Sequence, residues 1–236
     1  MPGVRAVLVA LFCSATVPIF WSAGLSGFAE ATADRRSPGG DWSAERTGSP
    51  ARLALQTFRV RLDTSKGPIV IEVHHEWAPH GASRFHELVT SRYFDDSRFF
   101  RVVKGQWAQF GINADPAVAS RWRMRTIPDD PRGQSNTRGR VAFAFAVPNG
   151  RTTQVYISLR DNAYQDAQGF VPFGEVVQGM DVADALNSEY GESSGGGIRA
   201  GKQQPLFDGG NAYLDREFPR LDRLLRAAVL PARKGQ

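Results

Sequence analysis

Four histidines, His74, His75, His80 and His86, fall in one short window and raise the question of a metal centre. On an extended segment His74 and His75 point to opposite faces, because side chains alternate across a strand. His80 and His86 are six positions apart, about 240° around a helix, so they diverge as well. No carboxylate or thiolate completes a ligand set, and the reading is of surface histidines with no metal. Nucleophilic chemistry finds no support either. The chain has no G-x-S-x-G elbow, no Walker motif and no dinucleotide glycine fingerprint. Gly195-Gly196-Gly197 lies in a polar stretch without a following Lys-Ser/Thr pair. The lone Cys13 can make neither an intrachain bridge nor a cysteine-based zinc site.

Whatever chemistry exists must be positioned by the elements around it. The chain has 236 residues, 42% hydrophobic and 22% charged, which is ordinary globular usage and excludes wholesale disorder. A net charge of +5 over this length is mild, and only scattered arginines speak for nucleic acid, so no nucleic-acid partner is expected. The first residues carry Arg5, then an uncharged run from Ala6 to Phe20, then small residues through Ala29, Ala31 and Ala33. That is the pattern of a secretory signal peptide over 1–33, with an uncleaved membrane anchor as its rival. The expected location is therefore outside the cytoplasm, periplasmic or secreted, with membrane attachment only if the segment is retained. Residues 34–55 are rich in Gly, Pro, Ser and charge without periodicity and read as a linker. A folded domain is expected over 56–233.

That domain opens with alternation: Phe58, Val60 and Leu62 against Arg59, Arg61 and Asp63, then Ile69, Ile71 and Val73 against Val70, Glu72 and His74. With Thr64–Gly67 as a turn, the pair forms an antiparallel hairpin. Residues 79–89 place Ala82, Phe85, Leu88 and Val89 on one helical face. Further strands are expected at 99–103, 141–146, 154–159 and 173–177, and a second short helix at 181–186. The segment 221–230 has helical composition although its position suits a closing strand, and the rest of the chain after 192 carries little pattern. Strands outnumber helices without βα alternation, which favours an antiparallel barrel or sandwich.

Three ordered blocks then carry a resemblance. RFFRVVKGQWAQFG at 98–111 is similar to the cyclophilin signature F-H-R-I-I-x-G-F-M-x-Q-G-G. NTRGRVAFAFAVPNGRTTQVYI at 136–157 resembles that family's second block, G-x-L-S-M-A-N-A-G-P-N followed by S-Q-F-F-I. GFVPFGEVVQGM at 169–180 is similar to H-V-V-F-G-x-V-x-x-G-M. The likeness covers roughly 57–186 and implies a mainly β fold, a closed eight-stranded antiparallel β-barrel capped by two α-helices.

It implies peptidyl-prolyl cis–trans isomerase activity on proline-containing peptides and unfolded exported proteins, by a monomer, without cofactor or covalent intermediate. Arg101 matches the family arginine that donates to the prolyl nitrogen of a twisted amide. Gln109 and Gln154 match the glutamines that hold the arginine and the substrate backbone. Ala144 and Phe145 fall at the pair that grips the residue before proline, while Trp107 and Tyr156 match two walls of the proline pocket. Departures are equally specific. Gln106 stands for a pocket Phe, Phe145 for Asn, Val147 for Gly and Phe170 for a His, and Tyr164-Gln165 stand for a Trp-Leu pair. Polar Gln106 and Gln165 in the pocket leave a second reading open, a weak or inactive proline-peptide-binding module or scaffold on the same fold.

Overall fold

The computed structural model describes residues 57–194 and 203–232. The expected signal peptide, the linker and Gly195–Gly197 lie outside the described residues. β1 (Phe58–Thr64) and β2 (Gly67–Val73) form the expected hairpin, in register from Phe58↔Val73 to Thr64↔Gly67. Thr64 closes the turn, its hydroxyl donating to the Gly67 carbonyl at 2.6 Å. α1 (Pro79–Thr90) buries Ala82, Phe85, Leu88 and Val89. Its N-cap, Ala78, offers no side chain, and Asp130 from a distant loop takes the task, accepting from the backbone N–H groups of His80 and Gly81 at 2.8 Å each. A carboxylate there satisfies orphan donors and meets the positive end of the helix dipole.

There follow β3 (Ser97–Arg98), β4 (Arg101–Val103), β5 (Trp107–Phe110), α2 (Pro116–Arg123), β6 (Arg140–Phe143) and β7 (Val155–Ser158). A turn of 3-10 helix at Ala163–Gln168 leads to β8 (Pro172–Gln178), α3 (Met180–Asp184), α4 (Gln204–Glu217) and β9 (Arg223–Val229). The nine segments form one antiparallel sheet in the order β3-β9-β1-β2-β8-β6-β7-β5-β4. Its first and last members are pieces of a single run, 97–103, which takes β9 as neighbour at its start and β5 at its end. Counted as one strand, that run makes the expected eight, and the sheet is strongly curled. Val60, Leu62, Ile69, Ile71, Phe85, Phe94, Phe110 and Phe173 fill its inside.

Several expectations are corrected. The run 99–103 is not one uninterrupted strand. Phe99 donates its N–H to the Asp222 carbonyl and packs in the main core, whereas Phe100 faces the other way into a second cluster with Leu206, Phe207 and Leu214 of α4. The helical composition of 221–230 yields to strand β9, whose Leu224 and Ala227 are buried beside β1. Among the described residues there are four α-helices and not two, because α2 and α4 add a layer packed on each other. α4 escapes pattern reading because Gly210, at φ +52°, kinks it midway.

Candidate active site

Four strands set one row of side chains. Arg101 on β4 is the register partner of Gln109 on β5. Gln109 is the partner of Tyr156 on β7, and Tyr156 of Ala142 on β6. Direct partners across a sheet share a face, so these four residues form a band across the outer surface. Gly111 permits the next step. At φ +106° it passes so close to β7's approach that a Cβ would stand 2.3 Å from the Thr153 carbonyl oxygen. That contact brings Gln154 alongside Gln109.

The polar half of the band is a relay. Arg101 is 7% exposed, and its Nη1 donates to Gln109 Oε1 at 3.0 Å. Gln109 Nε2 donates to Gln154 Oε1 at 2.8 Å, and Gln154 Nε2 donates to Gln203 Oε1 at 2.8 Å. The other edge of the guanidinium is held by Glu192, with Nε at 2.8 Å from Oε2 and Nη2 at 2.6 Å from Oε1. The ring of Trp107 lies 4.8 Å from the guanidinium carbon. The result is a permanent cation, fixed on two sides and stacked on a third, in a site where it can only donate.

The apolar half is a separate small cluster. Ala142, Ala144 and Tyr156 form it, with Trp107 and Phe170 packed against them. Phe145 adds its ring to Phe170 at 4.7 Å, and Arg151 covers Phe145 at 4.1 Å. The Tyr156 hydroxyl points away from the groove, donating to Asn136 Oδ1 at 2.7 Å and lying 2.9 Å from the Gln165 side-chain amide. Burial pushes the phenol well above its ordinary range, and the nearby Asp166 carboxylate pushes it further, so it stays neutral. Burial also lowers the Arg151 guanidinium. Asp166 steadies this rear wall by accepting from Ser135 Oγ at 2.5 Å and from Asn136 Nδ2 at 2.7 Å. The Trp107 indole N–H is buried in the same wall without a partner among the described residues.

The structure thus brings Arg101, Gln109, Gln154, Trp107, Ala144, Phe145, Tyr156 and Phe170 to one surface. Gln106 is half-buried in the β4–β5 turn, its carbonyl accepting from Leu159 N and Asn162 Nδ2. Gln165 lies behind Tyr156 and not in the groove, at 7% exposure, while its neighbour Tyr164 is the half-exposed one. Glu192, Gln203 and Asn136 are contacts that the sequence reading did not assign. Asn136 sits in a quoted block and was within reach of motif comparison. Glu192 and Gln203 lie 91 and 49 positions from their partners, in the stretch without pattern.

Comparison with known proteins agrees with this geometry. The sequence model of the family described as cyclophilin type peptidyl-prolyl cis-trans isomerase/CLD matches residues 59–205. Peptidyl-prolyl cis-trans isomerase A of Dickeya dadantii is 30% identical over 152 residues, covering 62% of this chain and 80% of that protein. Peptidyl-prolyl cis-trans isomerase B of Escherichia coli is 29% identical over 136 residues, covering 54% and 82%. A crystal structure of a Cryptosporidium parvum cyclophilin type isomerase with the dipeptide Ala-Pro superposes with a TM-score of 0.54 at 18% identity, over 74% of this chain and 99% of that one. At that identity the superposition speaks for the fold.

Proposed function

Since the chain belongs to the cyclophilin-type peptidyl-prolyl cis-trans isomerase family, we propose that its outer-face band docks X-Pro peptides and isomerises them by hydrogen-bond stabilisation of the twisted amide. The observation that carries this reading is the Arg101–Gln109–Gln154 relay beside the Trp107–Tyr156–Phe170 wall. Amide resonance sets a barrier of about 18–20 kcal/mol, and X-Pro bonds relax over tens of seconds or longer. Twisting the bond returns a lone pair to the prolyl nitrogen. A guanidinium that donates there binds the twisted state more tightly than either planar state, which is the requirement for catalysis. About 5 kcal/mol of such preference accelerates the step by nearly four decades. Gln109 holds the donor in place and so spares the reaction its reorganisation. The aromatic wall and Ala144 supply docking, and Gln154 is placed to meet the substrate backbone.

Arg101 meets its substrate only in competition with Glu192, which favours a second reading, a proline-peptide-binding module with slow turnover. A protease-coupled assay of the full chain on a prolyl tetrapeptide separates the two. Turnover above background that collapses in Arg101→Lys supports the enzyme; peptide binding without turnover supports the module. The uncharged run 6–20 further supports a role on exported polypeptides outside the cytoplasm. Fractionation of expressing cells tests it: full-length chain confined to the cytosol would oppose it.

A further inference from the structure

The outer face of the same sheet carries a second polar arrangement, away from the relay. Glu72 on β2 is the register partner of Glu175 on β8, so two like charges lie side by side. Each is flanked by an arginine on its other side: Arg59 on β1 is the partner of Glu72, and Arg140 on β6 of Glu175. Each arginine takes one carboxylate oxygen. Arg59 Nε donates to Glu72 Oε2 at 2.7 Å, and Arg140 Nη1 donates to Glu175 Oε2 at 2.9 Å. Both Oε1 atoms are turned toward His74, two residues beyond Glu72.

The imidazole is fixed in place. It stacks on Trp77 with centroids 3.8 Å apart and planes 14° from parallel, and the Arg140 guanidinium lies 4.4 Å from the Trp77 ring. Nδ1 lies 3.3 Å from Glu76 Oε1, an acceptor for a hydrogen on that nitrogen. With the proton there, Nε2 presents its lone pair. Nε2 is buried without a hydrogen-bond partner, 3.6 Å from Glu72 Oε1 and 3.7 Å from Glu175 Oε1. These separations are too long for hydrogen bonds. Three ligand atoms therefore converge on one point, all within 4.8 Å of one another, with the two arginines held on the far oxygens of the carboxylates. Bonds of about 2.0–2.2 Å to a tetrahedral ion set neighbouring ligand atoms about 3.4 Å apart, close to the two separations from Nε2, and the two carboxylate oxygens need only draw together from within 4.8 Å.

We propose that Glu72, His74 and Glu175 form a binding site for a divalent zinc-class ion, with solvent completing its shell. Glu76 acts as the carboxylate that orients the ligating imidazole, and Arg59 and Arg140 orient the two carboxylates. One nitrogen and two oxygens suit zinc and its first-row neighbours, whereas magnesium and calcium call for more oxygens. Reading the histidines along the chain missed this set because its second carboxylate, Glu175, comes from another strand through the register of β2 on β8.

The test is zinc titration of the full chain against a chromophoric chelator, with Trp fluorescence recorded in parallel. Wild type is expected to take up one equivalent that calcium and magnesium do not displace. His74→Phe keeps a ring on Trp77 but removes the ligand, and it should abolish that equivalent, as should Glu175→Gln. Glu76→Gln should weaken it about tenfold or more. His86→Ala, whose ring packs on Phe58, should leave it intact. Circular dichroism establishes that each variant is folded. Absence of stoichiometric uptake by wild type would overturn the proposal, and so would uptake retained by both His74→Phe and Glu175→Gln.

Discussion

Glu192→Gln is the substitution that most directly probes the active site. The carboxylate grips Arg101 with two charge-assisted bonds, and a guanidinium so paired is a weaker donor to anything else. The Glu192 side chain is 53% exposed although Arg101 is nearly buried, so solvent screens the pair and about 1 kcal/mol is a fair worth. If that energy favours the paired arrangement, roughly one molecule in six or seven has a free arginine, and stabilisation of the twisted amide falls by the same factor. Glutamine keeps the shape and drops the charge. In a protease-coupled tetrapeptide assay the variant should therefore show a kcat about sixfold higher at little-changed KM. Added salt should raise the wild-type kcat and leave that of the variant alone. An unchanged KM together with a reduced kcat would refute the reasoning, since it would make Glu192 a support for the arginine and not a competitor for it.

Arg101→Lys should cost on the order of a hundredfold in kcat/KM with little change in melting temperature, because one ammonium cannot serve Gln109 and the prolyl nitrogen together. Gln106→Phe should tighten prolyl-peptide binding, read by calorimetry, by about 1–2 kcal/mol from added apolar burial. Gly111→Ala should destabilise the fold by about 3 kcal/mol or more in chemical denaturation, since its Cβ would collide with the Thr153 carbonyl. Asp166 is partly buried, which alone would raise its pKa, but hydrogen bonds from Ser135 and Asn136 and the charge of Arg132 outweigh that and lower it. It therefore contributes stability above its unfolded value of about 3.9 that is lost as pH falls through the lower folded value. Asp166→Asn should be the less stable protein at neutral pH, with the gap closing below about pH 4 in acid-unfolding curves.

The parts legible in the sequence are those with local causes. Phe58 through Val73 alternate because one face of a hairpin is buried, and Phe85, Leu88 and Val89 repeat because one side of α1 is. Arg101, Gln109 and Tyr156 were legible through the blocks that resemble the family's motifs, and strand register explains why they share a face. What failed was non-local. Leu224-Leu225 and Ala227-Ala228 come as doublets between arginines, a helical-looking composition, and only pairing with β1 decides for a strand. Glu192 could not be placed on Arg101 from its own surroundings, where no periodicity exists to orient it. Likewise His74 acquires its carboxylates from strand register.

The placement of β9 has a bearing on how the molecule comes into being. It inserts between β1 and the start of the 97–103 run, so it is the seam of the curled sheet. Its partners Val60 and Ser97 were synthesised more than a hundred residues earlier. Until β9 arrives, both neighbours present bare hydrogen-bonding edges and the phenyl side of Phe99 lacks its backbone anchor at Asp222. The nascent chain is thus an open, adhesive sheet until Arg223–Val229 has been made. Closure is a late, long-range event of the kind that slows folding.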